Sequence, residues 1–172
     1  DSTNLYQQTR ARINELETLH TISVSLRTVQ TANEALSTIL DNILDTLDTD
    51  SGSILLYDPP SNELRDVVVR GWFTELADVP ISVGEGVAGT VFATGELYSS
   101  FEFARDALPH ASTRNSIPAG WGGVCLPIRA PMEIIGVLFV SVKQPRHINS
   151  QQIRLLESLV DMAGSAVHRM RL

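Results

Sequence analysis

Between Leu5 and Leu26 one position recurs at alternating gaps of four and three residues: Leu5, Thr9, Arg12, Leu16, Leu19, Ser23 and Leu26. That spacing predicts a helix carrying a narrow, coiled-coil-like stripe. Thr31-Ala-Asn-Glu34 then fits a capping box, and Leu36, Ile39, Leu40, Ile43, Leu44 and Leu47 follow at helical intervals. A second helix is expected there, lying on the core, with Asp41, Asp45 and Asp48 on its solvated face rather than paired for catalysis. Residues 52–58 and 64–71, separated by Pro59, Pro60, Ser61 and Asn62, read as a β-hairpin. The stretch Gly84-Glu-Gly-Val-Ala-Gly-Thr-Val-Phe-Ala-Thr-Gly95 predicts a short helix opened and closed by glycine. Residues 99–121 show no period, and connections of that length are commonly disordered or functional.

Two more strands are expected at 123–130 and 133–143, the second apolar on both faces. A sheet with two apolar faces needs cover on both, so the pattern predicts an α/β protein of three layers, α/β/α. Asn149 to Gln152 is another capping box and opens the last helix. There Ile153, Leu155, Leu156, Leu159, Val160, Met162, Ala163, Ala166, Val167 and Met170 fill about half of the cylinder, wider than the roughly 100° a single sheet needs. Within that half, Ile153, Leu156, Val160, Ala163, Val167 and Met170 keep an unbroken three-four spacing suited to a partner helix. Together with Leu5, Leu16, Leu19 and Leu26 they form the expected homodimer interface; a single wide core face within a monomer is the alternative. The division expected is a coiled-coil-like helix at 1–29 and a domain at 30–172 that includes the last helix.

The 172-residue length and 43% apolar content suit one domain with its own core. Thirteen Lys plus Arg against 20 Asp plus Glu leave a net charge of −7, which disfavours nucleic acid and anionic membranes as partners. Apolar runs such as Gly136 to Val140 fall far short of the roughly 20 residues needed to cross a bilayer. The lone Cys125 excludes an internal disulfide and a cysteine-rich zinc site, so a reducing, cytoplasmic setting is expected. A start without Met and a stop at Leu172 inside a helical pattern suggest that both ends continue in a longer protein.

Five segments, in this order, resemble the GAF domain family: Ser51-Gly-Ser-Ile-Leu-Leu-Tyr-Asp58, Gly84 to Gly95, Val124-Cys-Leu-Pro-Ile128, Ile134-Ile-Gly-Val-Leu138, and Gln151 to Leu156. The resemblance covers roughly residues 30–170. It implies a central antiparallel sheet of five or six strands, with the N- and C-terminal helices packed together on one face and a small-molecule pocket on the other. Members sit in sensor histidine kinases, phosphodiesterases, cyclases and transcription activators, usually paired through their end helices. The implied role is a regulatory sensor that signals to a covalently attached output domain, in a two-component system for instance. The alternatives are a ligand-free spacer and an enzyme similar to free methionine sulfoxide reductases.

The candidate chemistry is sparse. Gly84-x-Gly-x-x-Gly89 matches a dinucleotide fingerprint in letters, yet it lacks the crossover to a parallel strand, and a close-packed turn explains it better. Cys125 lies mid-strand with Leu126 after it, whereas bilin-binding relatives have a histidine there, and one thiol cannot resolve its own sulfenic acid. His20, His110, His147 and His168 show no metal-ligand spacing, and only His110 is placed where haem-binding relatives could use it. No metal or cofactor is expected. The irregular segment, with Phe101, Glu102, Phe103, Arg105, Asp106, His110, Arg114, Asn115 and Trp121, has the composition of a lid over an unidentified small molecule. Trp72 is a further candidate, either as pocket wall or as plug.

Overall fold

Two side-chain caps set where the core helices begin. The Thr31 hydroxyl accepts the Glu34 N–H at 3.1 Å and opens helix α2 (Ala32–Thr46), which follows α1 (Ser2–Leu26). Asn149 and Gln152 cap each other reciprocally, each side chain accepting the other's backbone N–H at 2.9 Å, and open the terminal helix α5 (Ser150–Arg171). The computed structural model describes residues 2–26, 31–109 and 111–171. Between the long helices lie strands β1 (Ser51–Asp58), β2 (Glu63–Arg70) and β3 (Ile81–Ser82), helix α3 (Gly86–Thr94), β4 (Tyr98–Ser100), the single turn α4 (Ala111–Arg114), and the long hairpin β5 (Trp121–Ala130) and β6 (Glu133–Lys143). The strands form one six-stranded sheet in the order β3-β2-β1-β6-β5-β4, with every pair antiparallel. The expected three-layer α/β architecture is the observed one.

Strand register divides the core in two. On the helix face Ile54, Leu138 and Leu126 stand directly opposite one another across β1, β6 and β5, each at most 1% exposed. Leu36, Ile39, Leu40 and Ile43 of α2 and Leu156, Leu159 and Val160 of α5 cover them. On the opposite face the equivalent row is Ser53, Phe139, Cys125 and Tyr98, and α3 packs over it. Between Ile54 and Leu55 the β1–β2 register slips by one, leaving Val67 without a partner. This bulge turns Asp66, opposite Leu55, to the α3 face while Val68, opposite Ile54, joins the helix-side core.

Helix α5 lies so close to β5 that a Cβ at Gly164 would sit 1.8 Å from the Arg129 carbonyl oxygen. Leu156, Val160, Ala163 and Val167 are at most 3% exposed within the single chain, so the expectation that a second copy covers them is corrected. The three-four spacing did find a helix and sheet to pack on, but they are α2 and β5 of the same chain. Only Ile153 and Met170 of that seam lie at the half-buried margin. Helix α1 divides differently: Ile22 is buried and Leu19 half-buried against the core, whereas Leu5, Tyr6, Ile13 and Leu16 are 50–65% exposed. The Leu26 side chain lies outside the described residues. Helices α1 and α5 meet on one face of the sheet, and an open polar cleft bordered by Gln8, Arg12, Glu15, Arg154 and Asp161 runs between them.

Candidate functional site

After β2 the chain turns at Gly71, whose φ of +63° suits glycine and where a Cβ would lie 2.1 Å from the Ser51 hydroxyl. That turn delivers Trp72 and Phe73 onto the α3 face of the sheet. A row of small residues, Ser51, Ser141 and Gly123 across β1, β6 and β5, leaves a ledge beneath them. The Trp72 backbone N–H donates to Ser51 Oγ at 3.3 Å, and its indole Nε1–H donates to Ser141 Oγ at 3.2 Å. Ser141 passes its own proton to the Gly122 carbonyl at 2.6 Å, so the indole is held by a fully bonded hydroxyl. Phe73 stacks on Trp72 at 3.9 Å between centroids and tilts against Phe139 at 5.2 Å. Phe103, from the single-turn 3₁₀ segment Phe103–Arg105, closes the group at 6.3 Å from Trp72 and edge-on to Phe139 at 6.2 Å.

These rings wall a cavity of about 100 Å³. Ser53, Leu55 and Phe139 lie on its sheet side, and the first turn of α3 (Gly86, Val87, Ala88) borders it from above. Pro109, Thr113 and Ile117 of the irregular segment line it too, and exposed Val79, Pro80 and Glu85 form its rim. An engineered apolar cavity of roughly 150 Å³ accommodates benzene, so the space suits a compact ligand of a few heavy atoms.

The wall carries one conspicuous charge. Asp66 is pushed from 3.8 up to about 6, chiefly because burial strips water from its carboxylate; a hydrogen bond from the Asp78 backbone N–H pulls it back in part, and the Asp78 carboxylate adds to the rise. At neutral pH it is therefore an anion held under strain. The Tyr98 hydroxyl, donating to Asp106, is pushed up by burial first and by that carboxylate second.

Read as a whole sequence, residues 29–168 match the GAF domain family model. The chain belongs to the GAF domain family. Its fold is shared with the GAF domain of a phosphoenolpyruvate-protein phosphotransferase from Coxiella burnetii, at 17% identity over 92% of this chain and 95% of that one, with a TM-score of 0.82. The corresponding Acinetobacter domain gives 19% identity over 91% and 94%, with a TM-score of 0.78. A free methionine-R-sulfoxide reductase from Neisseria meningitidis, solved with its substrate, also superposes, at 18% identity over 94% and 92% with a TM-score of 0.78. At these identities the likeness is one of fold. No curated protein sequence matches the chain significantly.

In this GAF domain the residues expected to hold a ligand separate. Trp72 and Phe103 line the cavity. Phe101 does not: it is 63% exposed, and its carbonyl accepts from Gln144 Nε2 at 3.1 Å. Glu102 instead closes the irregular segment, accepting the Gly120 N–H at 2.8 Å and pairing with Arg105 at 3.1 Å, while the Arg105 side chain is 83% exposed. Trp121 belongs to no lid; it opens β5 opposite Lys143 and borders a shallow depression with Leu44, Asp48 and Arg146. His110 lies outside the described residues. Asp106 and Arg114 serve the segment itself, Arg114 donating to the Ala107 and Pro109 carbonyls at 2.9 and 3.0 Å. Sequence reasoning missed Asp66, Phe73 and Phe139. A carboxylate alternating with Leu64 and Val68 along β2 was the available signal for the first.

The glycine fingerprint turns its donors inward. Gly84 N–H donates to the Gly89 carbonyl at 2.9 Å and Glu85 N–H to the Ser82 carbonyl at 3.0 Å, while a Cβ at Gly89 would meet the Ser82 oxygen at 2.3 Å. Close helix packing on β3 explains these glycines without a phosphate. Cys125 is fully buried between Tyr98 and Phe139, and burial pushes its thiol well above the usual range. Among the described residues no His, Cys, Asp or Glu group converges to hold a metal, and no helix is long and apolar enough to cross a membrane.

Proposed function

We propose that this GAF domain is a non-catalytic, cytoplasmic small-molecule sensor that pairs with a second copy and passes ligand occupancy to a covalently attached output domain. The observation that carries this reading is the aromatic cavity together with its mechanical tie to the terminal helix. The first turn of α3 borders the cavity, and Gly95, which caps the far end of that helix, accepts a 2.6 Å hydrogen bond from Arg129 on its carbonyl. The Arg129 backbone in turn abuts Gly164 of α5. A ligand that shifts α3 therefore loads the one strand against which α5 has no slack.

Pairing is assigned to α1. Leu5 and Leu16, eleven residues apart, lie within about 20° on the helix, with Tyr6 and Ile13 on the adjoining stripe, and all four are exposed. A two-fold contact can use this same patch on both copies. The chemistry of Cys125 supports a non-catalytic role, since an un-ionised thiol outside the cavity is a poor nucleophile.

Sedimentation of the chain should show a dimer that Leu5→Glu with Leu16→Glu converts to a folded monomer; a wild-type monomer at high concentration would remove the relay. A ligand-free spacer is favoured by one observation, the small volume of the cavity compared with the ~300 Å³ and above of ordinary ligand sites. If no compact fragment perturbs the Trp72 indole N–H resonance, the spacer reading replaces the sensor.

A further inference from the structure

Among the described residues the charge lining the cavity is one-sided. Among the described residues the charged side chains lining it are Asp66 and Glu85, both acidic. The basic residues nearby in sequence are engaged elsewhere: Arg65 with Asp58 and Glu63, Arg70 with Asp41 of α2, Arg105 with Glu102, and Arg114 with two carbonyls of its own segment. No ion pair to Asp66 exists among the described residues, and Asp78 adds a second carboxylate beside it. The remaining wall is aromatic, with Trp72, Phe73, Phe103 and Phe139 converging on one space.

Ring faces attract cations within about 6 Å, and a desolvated carboxylate gains most from a positive partner that enters with it. The opposing influence is the N-terminus of α3, whose free N–H groups would favour an anion. Glu85 occupies the N-cap position of that helix and already supplies negative charge there. Resting on the reading of the cavity as a ligand site, we infer that it selects a compact organic cation, an ammonium or amidinium on an apolar body of a few carbon atoms.

The test uses three probes of similar size and different charge, propylammonium, propanol and propionate, added to the full chain at neutral pH. Binding is read from the Trp72 indole N–H resonance, one of two such signals because the chain holds two tryptophans. Propylammonium should bind about tenfold or more tighter than propanol, with propionate weakest. Asp66→Asn should reduce propylammonium to the affinity of the alcohol while leaving the alcohol unchanged. Glu85→Gln, at the exposed rim, should give a smaller loss in the same direction and serves as the second variant should Asp66→Asn fold poorly.

Propylammonium affinity should also fall on acidification, as protonation neutralises Asp66. Equal binding of cation and alcohol, or preference for propionate, overturns the cation assignment and leaves the cavity a ligand site. Silence of the indole signal with all three probes removes the ligand site itself, and this inference with it.

Discussion

The two faces of the sheet share the same strands and the same pairings between them, yet they are finished differently. On the α2/α5 face the row Ile54, Leu138, Leu126 meets aliphatic side chains that leave almost none of its surface exposed. On the α3 face the row Ser53, Phe139, Cys125, Tyr98 meets rings, a carboxylate and about 100 Å³ of space. Branched aliphatics fill layers densely because they interdigitate, whereas flat rings stacked at 3.9 to 6.3 Å leave wedges between them. One face therefore supplies stability and the other supplies room, and a domain of this size can keep a cavity only because the opposite layer is so complete.

Matched substitutions on the two faces should expose that inequality. Leu138→Ala, on the filled face, is expected to lower unfolding free energy by about 3 kcal/mol in urea titrations. Phe103→Leu, on the open face, should cost only about 1 kcal/mol, since the ring borders space already. Equal losses would show the cavity to be as tightly packed as the core. Gly164→Ala comes next: its methyl must displace the Arg129 backbone, for an expected loss of about 2 kcal/mol with altered amide resonances around Gly95. A neutral effect would mean that α5 can slide freely on β5. Trp72→Phe removes the indole donor to Ser141 while keeping a ring, so about 1 kcal/mol is expected, and more than about 3 would identify the tryptophan as a structural plug.

The smallest effect concerns pH. Because Asp66 titrates near 6 in the fold and near 3.8 when exposed, folding favours its protonated form. Its contribution is fully present below about pH 4 and is lost as pH rises to about 6. The stability of Asp66→Asn relative to wild type should thus grow across that window and stay flat above it. Urea titrations at a series of pH values would contradict the buried setting of Asp66 if the difference did not move.

These experiments also separate what the sequence made readable from what it did not. The helix starts were legible because Thr31 with Glu34 and Asn149 with Gln152 solve a local problem, the free N–H groups of a first turn, with side chains a few residues apart. Gly95, at φ +72° after α3, was legible for the same reason. The apolar run of β6 announced a sheet covered on both sides. The site was read less well, because its walls come from four separate parts of the chain. A one-residue slip at Val67 decides that Asp66 faces the cavity, and the turn at Gly71 decides where Trp72 and Phe73 land. The composition of residues 99–121 suggested a lid, but Glu102, Asp106 and Arg114 bind the segment to itself and to its neighbours, and only Phe103 among its aromatic candidates reaches the space. The heptad reading of α5 was sound as geometry and misplaced as biology, since α2 was the partner it described.

Glu102 has a consequence for engineering. By holding the Gly120 amide across 18 positions, its carboxylate joins the two ends of the segment much as a clasp joins a necklace. What lies between can be lengthened, shortened or exchanged at only a slowly growing entropic cost. The sheet meets this cassette through Phe103, against Phe139, and Asp106, bonded to Tyr98, so a designer could keep those two residues and exchange the rest to retune which molecule is recognised.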